Sequence, residues 1–235
     1  MKHLIIASTS TLHGGSYLEY LSQPLQELYS GCEEIVFIPY AKPSGISYEE
    51  YTSIVREFFS KLNKSVKGIH EFENPIEGLK QTKGIFVGGG NTFVLVNQLY
   101  KMKLMETLRE VIFDGCPYLG SSAGSNICGL TMQTTNDMPI VYPPSFKTLS
   151  LVPFNLNPHY LDPDSNSSHM GETRETRIKE FHTINSQPVV GLREGSWLEV
   201  LGQTITLKGP LNARIFEKGQ TAYEVEPDTD LSLLK

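Results

Sequence analysis

Apolar residues fall along this chain in short continuous runs that alternate with segments of helical spacing. Residues 3 to 8 form the first run, which ends in Ser8-Thr9-Ser10. A glycine pair at 14 and 15 follows, and then a helical pattern through Tyr17, Leu18, Tyr20, Leu21, Leu25 and Leu28. The unit recurs. Glu34 to Pro39 reads as a strand, and Ser47 to Leu62 as an amphipathic helix with Tyr51, Ile54, Val55, Phe58 and Phe59 along one side. Val66 to His70 predicts a short third strand, with a weaker helix from Pro75 to about Gln81. Gly84 to Val87 predicts a fourth, followed after a glycine run by helices over Phe93 to Tyr100 and Leu104 to Phe113. Tyr118-Leu119 is the fifth.

Strands buried on both faces lose the in/out alternation of a half-exposed sheet, so continuous apolar strands between amphipathic helices predict a largely parallel sheet with helices on both faces. The fold class is α/β. Beyond about residue 130 the pattern gives way to a long Thr/Pro/Asn-rich stretch that includes Pro139, Pro143, Pro144, Pro153 and Pro158. Long irregular segments inside compact folds usually carry function. A helix resumes from Glu172 to Ile184, and Val189 to Glu226 reads as short strands and C-terminal β hairpins with Gly-Gln turns at 202 and 219. Without a repeat or a linker composition, residues 1–235 are expected to form one domain.

Composition narrows the partners. A net charge of −6 and a pI near 5.6, with lysines and arginines scattered, supply no basic field for nucleic acid or an anionic membrane. Cys32, Cys116 and Cys128 form no C-x-x-C pair, so neither a disulfide framework nor a cysteine zinc site is expected, and no metal or cofactor is. The apolar run at the start is too short for a signal peptide, and no segment approaches the roughly 18 apolar residues of a membrane span. A cytoplasmic location is the expectation.

The fifth strand runs directly into Gly120-Ser121-Ser122-Ala123-Gly124. This fits G-x-S-x-G, a sharp strand-to-helix turn that pushes a serine hydroxyl out of the sheet. A serine needs a base to take its proton and a third group to orient that base. Of six histidines, His3 lies in the first strand and reads as structural, whereas His13, His70, His169 and His182 fall in loop or helix-surface contexts. His159 is the candidate, in Asn155-Leu156-Asn157-Pro158-His159-Tyr160, where Pro158 restricts Asn157 to extended geometry. For the orienting acid, Glu194 stands at the carboxyl end of the apolar run Val189 to Leu192, and Asp137, in Thr134 to Pro139, is its rival. In parallel sheets ligands gather at the carboxyl ends of strands. The glycine run Gly88-Gly89-Gly90-Asn91-Thr92-Phe93 fails as a dinucleotide fingerprint, because G-x-G-x-x-G would place its third glycine at Phe93. It suits an oxyanion hole better, with the N–H following the nucleophile, that of Ala123, as second donor.

Val87 to Phe93, Gly120 to Gly124, Thr134 to Ile140, Asn157 to Tyr160, Gly171 to Glu175 and Gly191 to Gly195 together resemble peptidase E, the aspartyl dipeptidase family of serine peptidases. The resemblance implies a fold similar to that of class I glutamine amidotransferases, with serine where those carry a cysteine. It also implies Ser122 as nucleophile, His159 as base, Glu194 as triad acid, and Gly90 and Ala123 as oxyanion donors. Asp137 would support His159 or hold the substrate's free amine, and Arg174 would recognise an aspartate carboxylate. The order Ser, His, Glu differs from the Ser, acid, His order of α/β-hydrolases. The implied substrate is a small peptide with N-terminal aspartate, acted on by a monomer or homodimer. Two departures stand out: Ser121 replaces a bulkier family residue, and Tyr160 to Gly171 is slightly longer than the family pattern. Two other readings remain: a cyanophycinase-like peptidase, discriminated by Arg174 and the openness of residues 142–171, and a catalytically silent small-molecule binding protein.

Overall fold

The structure, a computed structural model, describes residues 1–163 and 171–235. The alternating first half forms β1 (His3–Ala7), α1 (Ser22–Leu28), β2 (Glu34–Ile38), α2 (Tyr48–Ser60), β3 (Ser65–Gly68), α3 (Pro75–Gln81), β4 (Ile85–Val87), α4 (Thr92–Lys101), α5 (Leu104–Phe113) and β5 (Tyr118–Ser121). The short helix α6 (Ala123–Asn126) follows at once. After an irregular stretch come β6 (Asn155–Pro158), α7 (Arg174–Ile184), β7 (Val189–Leu192), β8 (Trp197–Leu201), β9 (Thr204–Lys208), β10 (Ala213–Phe216) and β11 (Tyr223–Val225).

One sheet has seven strands in the order β3-β2-β4-β5-β1-β8-β9. Its first five strands are mutually parallel, while β8 pairs antiparallel with β1, and β9 with β8. The apolar runs behave as two-sided strands must. Leu4, Ile6, Val36, Ile38 and Val87 face a core with Leu79, Leu95, Leu99 and Leu108 of α3, α4 and α5, whereas Ile5, Ala7, Ile35, Phe37 and Phe86 face Leu25, Val55, Phe58 and Phe59 of α1 and α2. No described helix is long and apolar enough to cross a membrane.

One expectation needs correction. On α2, Tyr51, Thr52, Val55, Phe58 and Phe59 are buried, but Ile54 is 42% exposed. At about 100° per residue Ile54 sits roughly 100° from the centre of the buried face, at the helix shoulder. The tail forms the expected hairpins and divides them between two sheets: the β8–β9 hairpin extends the main sheet, and the β10–β11 hairpin joins β7 and β6 in a second sheet ordered β11-β10-β7-β6. The turns between the hairpin strands hold Gly202 (φ 63°) and Gly219 (φ 77°), the left-handed geometry that favours glycine. Leu156, Val190, Leu192, Ala213 and Ile215 of the second sheet belong to the same apolar cluster as α4 and α5, so the two sheets share a core.

In the second sheet β6 and β7 are parallel, with Pro158 opposite Leu192. Their carboxyl ends therefore lie side by side. Inside the irregular stretch β6 is held largely through side chains: Thr131 N donates to Asn155 Oδ1 at 2.9 Å, and Asn157 Nδ2 donates to Thr134 O and Asn136 Oδ1, each at 2.8 Å.

Candidate active site

The turn at Ser122 needs the two glycines for a measurable reason. A Cβ on Gly120 would lie 2.5 Å from Gly124 O, and one on Gly124 would lie 2.1 Å from Val87 O. Ser122 itself holds φ 53°, ψ −109°, a strained setting for a non-glycine residue. Hydrogen bonds from both sides fix it: Ser122 N donates to Ala7 O at 3.2 Å, Ser125 Oγ reaches Ala7 O at 2.6 Å and Gly120 O at 2.8 Å, and Tyr118 Oη donates to Gly124 O at 2.7 Å.

His159 follows directly on β6 and has φ 54°. Its N–H donates to Ser8 Oγ at 2.9 Å, and Ser8 Oγ donates to Leu192 O at 2.7 Å. The ring then spans two partners, with Nε2 at 2.8 Å from Ser122 Oγ and Nδ1 at 2.6 Å from Glu194 Oε1. An ionised carboxylate can only accept, so the contact with Glu194 assigns the proton to Nδ1 and leaves Nε2 free to accept the Ser122 hydroxyl proton. Glu194 lies in the turn between β7 and β8, beside Gly195 with φ 95°. The base and this carboxylate thus come from neighbouring parallel strand ends of the second sheet, and the serine from the end of β5 in the first.

The glycine run lies against the serine. A Cβ on Gly89 would be 3.5 Å from Ser122 Oγ. Gly88 N donates to Ile38 O at 3.2 Å and Gly89 N to Tyr51 Oη at 3.1 Å. Among the described residues the N–H groups of Gly90 and Ala123 have no such acceptor. Gly90 has φ 144°, and a Cβ there would lie 2.2 Å from Ala41 O.

Asp137 takes a different position from Glu194. Its Oδ2 accepts from Thr92 N at 2.7 Å, at the start of α4, and from Thr135 Oγ1 at 2.9 Å. It lines the same recess as Ser122, Asn126, Asn136 and His159. Arg174 opens α7, where Thr173 Oγ1 caps the helix by accepting from Thr176 N at 3.1 Å. Burial and the neighbouring Arg177 push the Arg174 guanidinium below its ordinary value, an effect that the Asp137 carboxylate partly offsets. Arg177 stands nearer Glu172, Nε to Oε2 3.7 Å.

Other sequence readings fared unevenly. His182 is 8% exposed, not solvated, and its Nε2 lies 2.9 Å from Gln187 O. His169 falls outside the described residues, as does much of the segment from Tyr160 to Gly171. Ser121 is fully buried and its hydroxyl has no partner among the described residues. Glu49, His70 and Glu71 bring possible ligand atoms within 4.8 Å of one another, but the Arg56 guanidinium bonds both carboxylates, so a cation's place there is taken. Ser8, Asn136 and Asn157, which support the site, escaped the sequence reading. Only Ser8 carried a usable signal, its place at the carboxyl end of β1.

Residues 4–208 match peptidase family S51. Over 99% of its length the chain is 43% identical to a protein of Drosophila melanogaster named "Probable alpha-aspartyl dipeptidase", covering 97% of that protein. It is 45% identical to a "Peptidase E" of Streptomyces coelicolor over 99% of this chain and 94% of the other. The crystal structure of a peptidase from an acI-B1 Actinobacterium superposes with a TM-score of 0.71 at 17% identity, covering 98% of this chain and 96% of that one, a likeness of fold. The chain belongs to peptidase family S51.

Proposed function

We propose that the protein is a serine dipeptidase that hydrolyses dipeptides, and short peptides, beginning with aspartate. The observation that carries this reading is the continuous hydrogen-bonded path from Glu194 through His159 to Ser122, at 2.6 and 2.8 Å. His159 Nε2 takes the Ser122 proton as Oγ attacks the scissile carbonyl carbon. Glu194 holds the ring in its Nδ1–H form and stabilises the imidazolium that forms. The carbonyl oxygen gains its charge facing the Gly90 and Ala123 amides. His159 then protonates the departing amine, the acyl-enzyme remains on Ser122, and a water activated by the same imidazole releases free aspartate.

Arg174 and Asp137 divide the recognition. A guanidinium suits the aspartate side chain through a bidentate contact. With Glu194 on Nδ1, Asp137 is better suited to the substrate's ammonium than to orienting the base, and its bonds from Thr92 N and Thr135 Oγ1 hold the carboxylate in the recess. The name of the Drosophila melanogaster relative, "Probable alpha-aspartyl dipeptidase", favours the same substrate class. Three free cysteines fit work in a reducing cytosol.

Steady-state hydrolysis of Asp-Leu, Ala-Leu and N-acetyl-Asp-Leu tests the reading. Asp-Leu should be cleaved and the other two strongly disfavoured. Arg174→Met should cost Asp-Leu about 2–3 kcal/mol of transition-state binding, roughly 30- to 150-fold in kcat/KM. Equal turnover of all three substrates, or an Arg174→Met enzyme with unchanged preference, sinks the specificity claim.

A further inference from the structure

We infer that Arg193 is a positioning residue for the His159–Glu194 pair: its guanidinium ties the segment carrying the base to the segment carrying the acid. The inference rests on the triad reading above. Arg193 directly precedes Glu194 and is 16% exposed. Its Nε and Nη2 donate to Asp162 Oδ2 and Oδ1 at 2.8 and 2.7 Å, three residues beyond His159. Its Nη1 and Nη2 donate to Glu224 Oε2 and Oε1 on β11 at 2.8 and 2.9 Å, and Nη1 also reaches Asn212 O at 2.7 Å. All five N–H donors of the fork are thereby used. The guanidinium carbon also lies 5.5 Å from the Tyr160 ring centre, and Tyr160 N donates to Leu192 O at 3.1 Å.

An exposed single ion pair would contribute little, but two bidentate carboxylates on one largely buried guanidinium form a network of defined geometry. The geometry matters here because His159 sits at φ 54° immediately after its strand and Glu194 lies in a turn. Neither side chain is held by regular sheet pairing. With 36% and 48% of their side chains exposed, packing alone does not fix them either. Asp162 and Arg193 close the ring His159–Glu194–Arg193–Asp162 from the far side. The network continues through Glu224 to Arg214 (3.2 Å) and on to Glu175 (3.2 Å), the residue after Arg174. Lysine keeps the charge at position 193 but has no planar fork, so it cannot hold both carboxylates bidentately.

The test is kinetics on Asp-Leu for Arg193→Lys, Glu194→Gln and the double variant, with thermal melts and pH–rate profiles. Arg193→Lys is expected to lower kcat about 10- to 100-fold, leave KM within about twofold and distort the limb of the pH profile that reports His159. In the Glu194→Gln background the same change should cost less than about twofold, because the pair it aligns is already broken. Asp162→Asn, which removes one arm without disturbing the β7–β8 turn, should reproduce the kcat effect if Arg193→Lys folds poorly. Losses that multiply in the double variant, or kcat within twofold for both single changes to the clamp, overturn the inference. If Glu194→Gln alone retains wild-type kcat, the triad reading falls and takes this inference with it; a damaged Glu194→Gln enzyme beside an unaffected clamp removes the inference alone.

Discussion

Gly90→Ala probes the oxyanion hole through a backbone conflict that the structure quantifies. The added Cβ would stand 2.2 Å from Ala41 O and 2.7 Å from Ala41 C, where ordinary contact begins near 3.4 Å. The chain must shift by about 1 Å to relieve this. That shift opposes the hydrogen bond that Asn91 N donates to the same Ala41 O at 2.7 Å. An L-residue at φ 144° adds strain of about 1–3 kcal/mol, which for a chain of this size lowers Tm by roughly 2–12 °C. Activity should suffer more than stability. A catalytic group displaced by about 1 Å loses on the order of a hundredfold, and loss of one oxyanion donor costs about a hundred- to a thousandfold. Because the donor serves charge that develops after binding, the loss belongs in kcat with KM little changed. The assay is Asp-Leu hydrolysis by protein whose folding is checked by circular dichroism at the assay temperature. Gly14→Ala is the control, since Gly14 has φ 77° but, among the described residues, nothing within 4 Å of an added Cβ, so it should lose some stability and no activity. A Gly90→Ala enzyme with kcat within threefold of wild type refutes both the clash and the role given to this amide.

Ser8→Ala removes the hydroxyl that links His159 N to Leu192 O, leaving a part-buried donor without its partner, so stability should fall by about 1–3 kcal/mol and kcat with it; unchanged urea midpoint and kcat would contradict this. Tyr29→Phe should destabilise by a similar 1–3 kcal/mol, because buried Ile85 O loses the Tyr29 Oη donor at 2.6 Å, while kcat of the folded enzyme stays unchanged; a loss of kcat at full folding would connect the far face of the sheet to the site. Asp162 and Glu224 are held below their ordinary carboxyl values of 3.8 and 4.5, chiefly by hydrogen bonds from Arg193. Carboxyl values depressed on folding stabilise the fold fully above about pH 4.5 and lose that contribution as the pH falls through the folded values. Tm should therefore drop as the pH falls below the ordinary carboxyl values, and Arg193→Lys should flatten the drop; parallel curves for the two proteins would count against the clamp's electrostatics.

The parallel part of the fold was legible because both-face burial writes itself into Leu4–Ala7, Ile35–Ile38 and Ile85–Val87 as unbroken apolar runs. The elbow was legible for a steric reason, since Gly120 and Gly124 each lack room for a single Cβ. The second sheet was not. Asn155-Leu156-Asn157-Pro158 has poor strand propensity and relies on side-chain bonds to Thr131, Thr134 and Asn136, partners some twenty residues away that no local window relates to it. From the residues alone Asp137 and Glu194 stayed rivals, both being carboxylates in turn-like contexts, and only the resemblance singled out Glu194; the pairing of Pro158 with Leu192 is what brings Glu194 to His159 Nδ1. His182 misled because helix α7 looks polar all round, while its buried side is defined by β7 and β10 residues such as Val189 and Phe216.

The most direct measurement is peptide-level mass mapping after treatment with a fluorophosphonate, which captures a serine only when a neighbouring base has activated it. The account predicts one adduct per chain, on Ser122, lost in Ser122→Ala and strongly slowed in folded His159→Ala, with hydrolysis of Asp-Leu falling in proportion to labelling. An unlabelled Ser122 in protein that turns over Asp-Leu, or labelling elsewhere that abolishes turnover, would contradict it.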